Sequence, residues 1–179
     1  WIGDIVSYQS PARDWGLALL SKLKSLNSSN IFILGGCTKT DPYFQSCNLF
    51  YLSSRKDPFP GVVLEAMACK KPIIAFSGST DVADAFGDGL GGCLLQDFDS
   101  KKAALKICSY LSNLNKNLNA GKHNINVIRQ DYTFKSYSSF LLESLNAIRS
   151  KLNSLYDSEL VLSFVCPIYK TPLLYLQQL

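Results

Sequence analysis

Two carboxylates eight positions apart, Asp57 and Glu65, flank a Pro58-Phe59-Pro60-Gly61 turn that leads into an apolar helix. A helix N-terminus leaves backbone N–H groups unpaired and carries partial positive charge. The amides of Gly61 and Val62 are therefore suited to meet a diphosphate, whereas Pro60 has no N–H to offer. Glu65, one helical turn further on, can accept hydrogen bonds from two sugar hydroxyls, and Asp57 can reach a second sugar. Carboxylate, amides, carboxylate reads as a cradle for a nucleotide-sugar. From spacing alone a plainer reading stays open, with Glu65 a surface helix residue and Asp57 a turn former before Pro58.

The elements around the turn place it where ligands bind. Asn48–Leu52 reads as a buried strand, Gly61–Cys69 as a short helix and Pro72–Phe76 as a second strand. Strand, helix, strand is the unit of a parallel sheet, and ligands lie outside the carboxyl ends of such strands. Upstream, strands are expected at Ile2–Val6 and Ile31–Leu34, the latter ending at Gly35-Gly36. A helix is expected from Ser10-Pro11 to about Lys24, and one helical turn near 43–47. Downstream come a short helix at 81–85, a strand at 92–95 and a helix capped by Asp99-Ser100 with apolar positions 103, 104, 107, 111 and 114. A polar helix follows near 118–130. Phe134 to Leu155 repeats at spacings of three and four, the strongest helical pattern in the chain. The fold class expected is α/β, a Rossmann-like parallel sheet with helices on both faces.

The chain has 179 residues, a net charge of +4 and 47% apolar residues, enough for one domain with an ordinary core and at most part of another. Its cations are scattered rather than striped, which argues against nucleic acid as a partner. The six cysteines form no C-x-x-C pair, so a reducing, cytoplasmic setting is expected, with neither disulfides nor a zinc site. His123, the sole histidine, lies in a polar stretch and reads as a surface residue. No apolar run reaches the ~18 residues of a membrane span.

Ser54-Arg55-Lys56-Asp57-Pro58-Phe59-Pro60 with Leu64-Glu65-Ala66-Met67-Ala68 resembles the E-x7-E signature of retaining family 4 glycosyltransferases, glycogen synthase-like enzymes of GT-B architecture. The flanks Phe32–Gly36, Cys47–Phe50 and Pro72–Ala75 agree with it. The resemblance covers roughly residues 1–150 and implies the C-terminal half of a GT-B fold, which holds the nucleotide-sugar donor. It implies Asp57 and Glu65 as catalytic residues, with Glu65 on the ribose and Asp57 beside the donor sugar. Arg13, Gly35, Phe59, Gly61, Val62, Ser79 and Thr80 are implied as further donor-binding positions. It further implies no cofactor and no metal, the nucleotide-sugar being a substrate, and a saccharide or other glycan as acceptor.

Two departures stand out. Trp15 occupies the place where the family has a Lys for the diphosphate, and residues 79–84 have lost the family's G-G-x-P-E turn. The chain reads as a piece of a larger multidomain protein that lacks the N-terminal GT-B domain, so the piece alone is expected to be inactive. A degenerate, non-catalytic nucleotide-sugar-binding or scaffolding domain is the alternative. Leu162–Leu176 is similar to the opening of family 2 glycosyltransferases. Residues 156–179 are therefore expected to be a linker and the start of a truncated GT-A-like domain, or else the last strand and helix of a donor domain spanning 1–155.

Overall fold

Ile73–Phe76 is a run of four apolar residues, and all four are buried as strand β2. A strand buried on both faces needs partners on both edges and cover above and below. Both are present in the computed structural model, which describes residues 13–26, 29–78, 81–87 and 89–155. Strand β1 (Phe50–Tyr51) and strand β3 (Gly92–Leu95) flank β2 in the order β1-β2-β3, both parallel to it. Ile73 is in register with Phe50 on one side and with Gly92 on the other.

Because side chains alternate along a strand, β2 feeds two cores. Ile73 and Ala75 join Phe44, Val63, Ala66, Met67, Val82 and Phe86 on one face. Ile74 and Phe76 join Cys93, Leu95, Ala103 and Tyr110 on the other. The first face is covered by helices α2 (Asp41–Ser46), α3 (Gly61–Ala68) and α4 (Ala83–Phe86), and the second by α5 (Ser100–Leu111). The α/β class with helices on both faces is thus observed. Helices α1 (Arg13–Ser25), α6 (Leu114–Asp131) and α7 (Phe134–Leu155) complete the described elements. None of the described helices is long and apolar enough to cross a membrane.

The chain divides into two units, Trp1–Ile128 and Arg129–Leu179. In the second, Thr133 Oγ1 accepts from Ser136 N at 3.0 Å and so caps the start of α7.

Three local expectations are corrected. Ile31–Leu34 is no strand: Gly35 alone makes an isolated bridge, and the four apolar side chains are 37–67% exposed. A parallel strand needs a neighbouring ladder, and the strand expected at Ile2–Val6 lies outside the described residues. The helix expected through Leu114 stops at Leu111, because Asn113 starts a new one, its Oδ1 accepting from Lys116 N at 3.0 Å. The inward face of α5 is Ala103 and Tyr110, with Ile107 half-buried, whereas Ala104, Leu111 and Leu114 are exposed. His123 is half-buried beside Gly87 rather than on the open surface. The Asp99 cap is as expected, its Oδ1 accepting from Lys101 N and Lys102 N at 2.8 and 3.2 Å.

The end of α3 sets the path into β2. Lys71 N donates to Ala66 O and Lys70 N to Met67 O, the paired bonds that close a helix with a left-handed residue. Lys70 is that residue, at φ 60°, where glycine is usual. Removing its Cβ relieves about 1 kcal/mol of backbone crowding. Lys70→Gly is therefore expected to raise the thermal midpoint by about 2–4 °C, read by calorimetric melting of the purified chain.

Candidate donor-binding site

The site begins with what α3 buries. Val63, Ala66 and Met67 occupy its inward face at spacings of three and four, so Gly61 and Glu65 are left on the open side. Pro60 is the N-cap residue, with extended backbone (φ −70°, ψ 109°) and its ring buried. Its carbonyl accepts from Val63 N at 3.0 Å. The amides of Gly61 and Val62, by contrast, have no partner among the described residues. A Cβ built on Gly61 would meet nothing within 4 Å, so the helix is uncrowded beside its first residue.

Glu65 is exposed, yet its carboxylate is held: Oε2 accepts a hydrogen bond from Thr40 Oγ1 at 2.9 Å. Thr40 lies 25 positions upstream, at the N-cap of α2, and sequence reading did not single it out. Helix α2 is anchored below by buried Phe44, which packs edge-on against Phe50 at 5.7 Å between ring centroids. Its far end is tied by Lys71 Nζ, which donates to Gln45 O at 3.0 Å.

Asp57 is half-buried in the loop from Ser53 to Pro60, and Phe59 on that loop is 52% exposed. The loop is joined to the segment after β2, where Asp81 N donates to Pro58 O at 2.8 Å. Both segments follow the carboxyl ends of parallel strands, the position expected for a ligand crevice. Arg55 lies over the ring of Phe98 at 5.7 Å, and Phe98 packs on Phe76 at 4.7 Å. This aromatic stack joins the loop after β1 to the loop after β3. Gly35 is half-buried at φ 68°, a left-handed turn that needs glycine. Arg13 opens α1. Ser79 and Thr80 lie outside the described residues, as does the tail from 156 to 179.

Two thiols sit near the site, and neither is primed as a nucleophile. Burial pushes the Cys47 thiol above its ordinary pKa, against an opposing pull from Lys71. Burial also raises the Cys69 thiol, reinforced by the charge of Asp41. Among the described residues, no three His, Cys, Asp or Glu side chains gather as a metal ion would require.

Unpartnered helix amides and an anchored carboxylate thus lie at the carboxyl ends of a parallel sheet, where α/β domains form their ligand crevices. The glycosyl transferases group 1 family matches residues 18–127, more than half of the sequence, and the chain belongs to that family. Over 103 residues it is 31% identical to the N,N'-diacetylbacillosaminyl-diphospho-undecaprenol alpha-1,3-N-acetylgalactosaminyltransferase of Campylobacter jejuni. That match takes in 58% of this chain and 27% of the relative.

Solved structures share the fold. Anabaena HepE in complex with UDP superposes with a TM-score of 0.73 at 21% identity, over 82% of this chain and 40% of that one. Sucrose-phosphate synthase from Thermosynechococcus elongatus gives 0.70 at 18% identity, over 82% and 38%. Both have GT-B architecture. The chain therefore spans well under half the length of these relatives.

Proposed function

We propose that this chain is the donor-binding half of a sugar transferase, holding a nucleotide-sugar for retaining transfer to a saccharide or other glycan acceptor. The observation that carries the proposal is the pair of open amides at Gly61 and Val62, one helical turn from the anchored Glu65. Glu65 takes the ribose hydroxyls and Asp57 lies by the donor sugar. Breaking the sugar–phosphate bond leaves negative charge on the diphosphate. Helix amides aimed at that charge stabilise it without reorganising, so no metal is required in this reading. Arg13, Gly35, Phe59, Ser79 and Thr80 complete the proposed contacts.

The acceptor side and the rest of the cleft are assigned to a further domain, in keeping with the 27% and 40% shares of the relatives that this chain spans. The chain alone is then inactive in transfer and acts in the cytoplasm. A second reading, a scaffold that binds without turnover, is favoured by Trp15 at the expected lysine position.

Titrating the chain with UDP, GDP, ADP and their sugar derivatives by calorimetry tests the proposal. One nucleotide series is expected to bind, and Glu65→Ala to weaken it about 30- to 100-fold, the loss expected for charge-assisted bonds to a diol. Absence of binding by every nucleotide overturns the donor role. Turnover after joining the chain to an acceptor-side domain separates the transferase from the scaffold.

A further inference from the structure

The geometry points to Thr40 as the positioning residue for Glu65, and hence as the group that sets selectivity for a ribose diol over a deoxyribose. The inference rests on the donor-site reading above. A Thr at a helix N-cap ordinarily turns its hydroxyl onto the amides of the first turn. Thr40 makes no such bond. Its backbone carbonyl serves instead, accepting from Tyr43 N at 3.0 Å and Phe44 N at 3.2 Å, while Pro42 in the first turn has no N–H to satisfy. The hydroxyl is thereby released from local capping and donates to Glu65 Oε2 at 2.9 Å.

The consequence for Glu65 is geometric. A glutamate on an open helix face has three side-chain torsions to fix, and fixing them on ligand binding costs affinity. Anchoring one carboxylate oxygen through Thr40 removes much of that freedom in advance. It leaves Oε1, and the remaining lone pair of Oε2, as acceptors for two adjacent hydroxyls. Thr40 is itself held by a short helix whose Phe44 lies in the core and whose last turn is tied by Lys71. The hydroxyl thus stands on a fixed base, as a second layer of support requires.

The test compares UDP, GDP and ADP with their 2′-deoxy counterparts by calorimetry, using the unaltered chain, Thr40→Val and Thr40→Ser. For the nucleotide that binds best, Thr40→Val is expected to cost about tenfold in affinity, against less than about threefold for its 2′-deoxy form. Preference for ribose then collapses, and Thr40→Ser restores it to within about twofold. In the Glu65→Ala background Thr40→Val is expected to add no further loss, since the pair acts as a unit. Equal weakening of ribo and deoxy forms, or none, overturns the inference while the donor site stands. If Thr40→Val melts early, Thr40→Ala read in the same double-mutant cycle decides the matter by the same criterion. Failure of the unaltered chain to bind any nucleoside diphosphate overturns the donor site and the inference together.

Discussion

Gly92→Ala is expected to lower the unfolding free energy by about 3–5 kcal/mol, a large share of the 5–15 kcal/mol typical of a whole domain. At Gly92, the first residue of β3, a Cβ would overlap the carbonyl oxygen of Ile73 on the neighbouring strand. That atom is backbone, and it cannot turn aside as the tip of a flexible side chain would. The strands must separate instead, and the bond from Ile73 N to Gly91 O at 3.1 Å goes with them. The Gly92 carbonyl is engaged as well, accepting from the buried Tyr110 hydroxyl at 2.7 Å, so moving β3 also disturbs α5. The expected fall in thermal midpoint is about 10 °C, measured by calorimetry with urea unfolding as a second readout. Gly61→Ala is the control, because its Cβ enters open space, and it is expected to change stability by less than about 1 kcal/mol. A Gly92→Ala chain as stable as the original would mean that the β2–β3 spacing is looser than described. The carboxyl ends of the strands would then be a poor platform for the proposed donor.

What the sequence made legible followed from local rules. The uncharged runs at 50–52, 73–76 and 92–95 have few ways to satisfy backbone and side chains other than a buried parallel sheet. Pro60 before Gly61, and Asp99 before Ser100, mark helix starts through chemistry confined to one turn. Contacts between segments far apart in the chain were not legible. The hydroxyl of Thr40 reaches Glu65 across 25 positions, and nothing in the Lys39-Thr40-Asp41 stretch says that a capping residue will abandon its own helix. Ile31–Leu34 has a strand's composition, yet composition does not supply a pairing partner. At Ser112-Asn113 the apolar spacing ran through a helix break that the Asn, a good N-cap residue, could have revealed.

Asn124→Asp is expected to cost about 4 kcal/mol at neutral pH, with a pH dependence that identifies the cause. Helix α6 reads as polar in sequence, yet its face Ala120, Gly121 and Asn124 is buried, followed one turn on by Val127 and Ile128. Gly121 allows the approach: a Cβ there would overlap the carbonyl of Lys70. Asn124, with 0% exposure, then donates through Nδ2 to Lys71 O at 2.7 Å and to Gly91 O at 2.8 Å. It joins the segments that lead into β2 and β3, while its Oδ1 has no hydrogen-bond partner among the described residues. Only the amide nitrogen can face two carbonyls, so the side-chain orientation follows from chemistry. A carboxylate in the same place would confront both carbonyls with negative charge in a fully buried site. The folded protein therefore holds the introduced carboxyl protonated well above its unfolded pKa of about 3.9. Between those two pKa values the unfolded chain binds fewer protons, so stability falls as pH rises, by about 1.4 kcal/mol per pH unit. Asn124→Leu loses the same two hydrogen bonds without adding a charge, and its cost of about 3 kcal/mol is expected to be flat across that range. Urea unfolding of both variants from pH 5 to pH 8 checks this. Parallel pH profiles for the two would show that Asn124 does not face the paired carbonyls. The β2–β3 junction that carries the loops of the candidate site would then need another support.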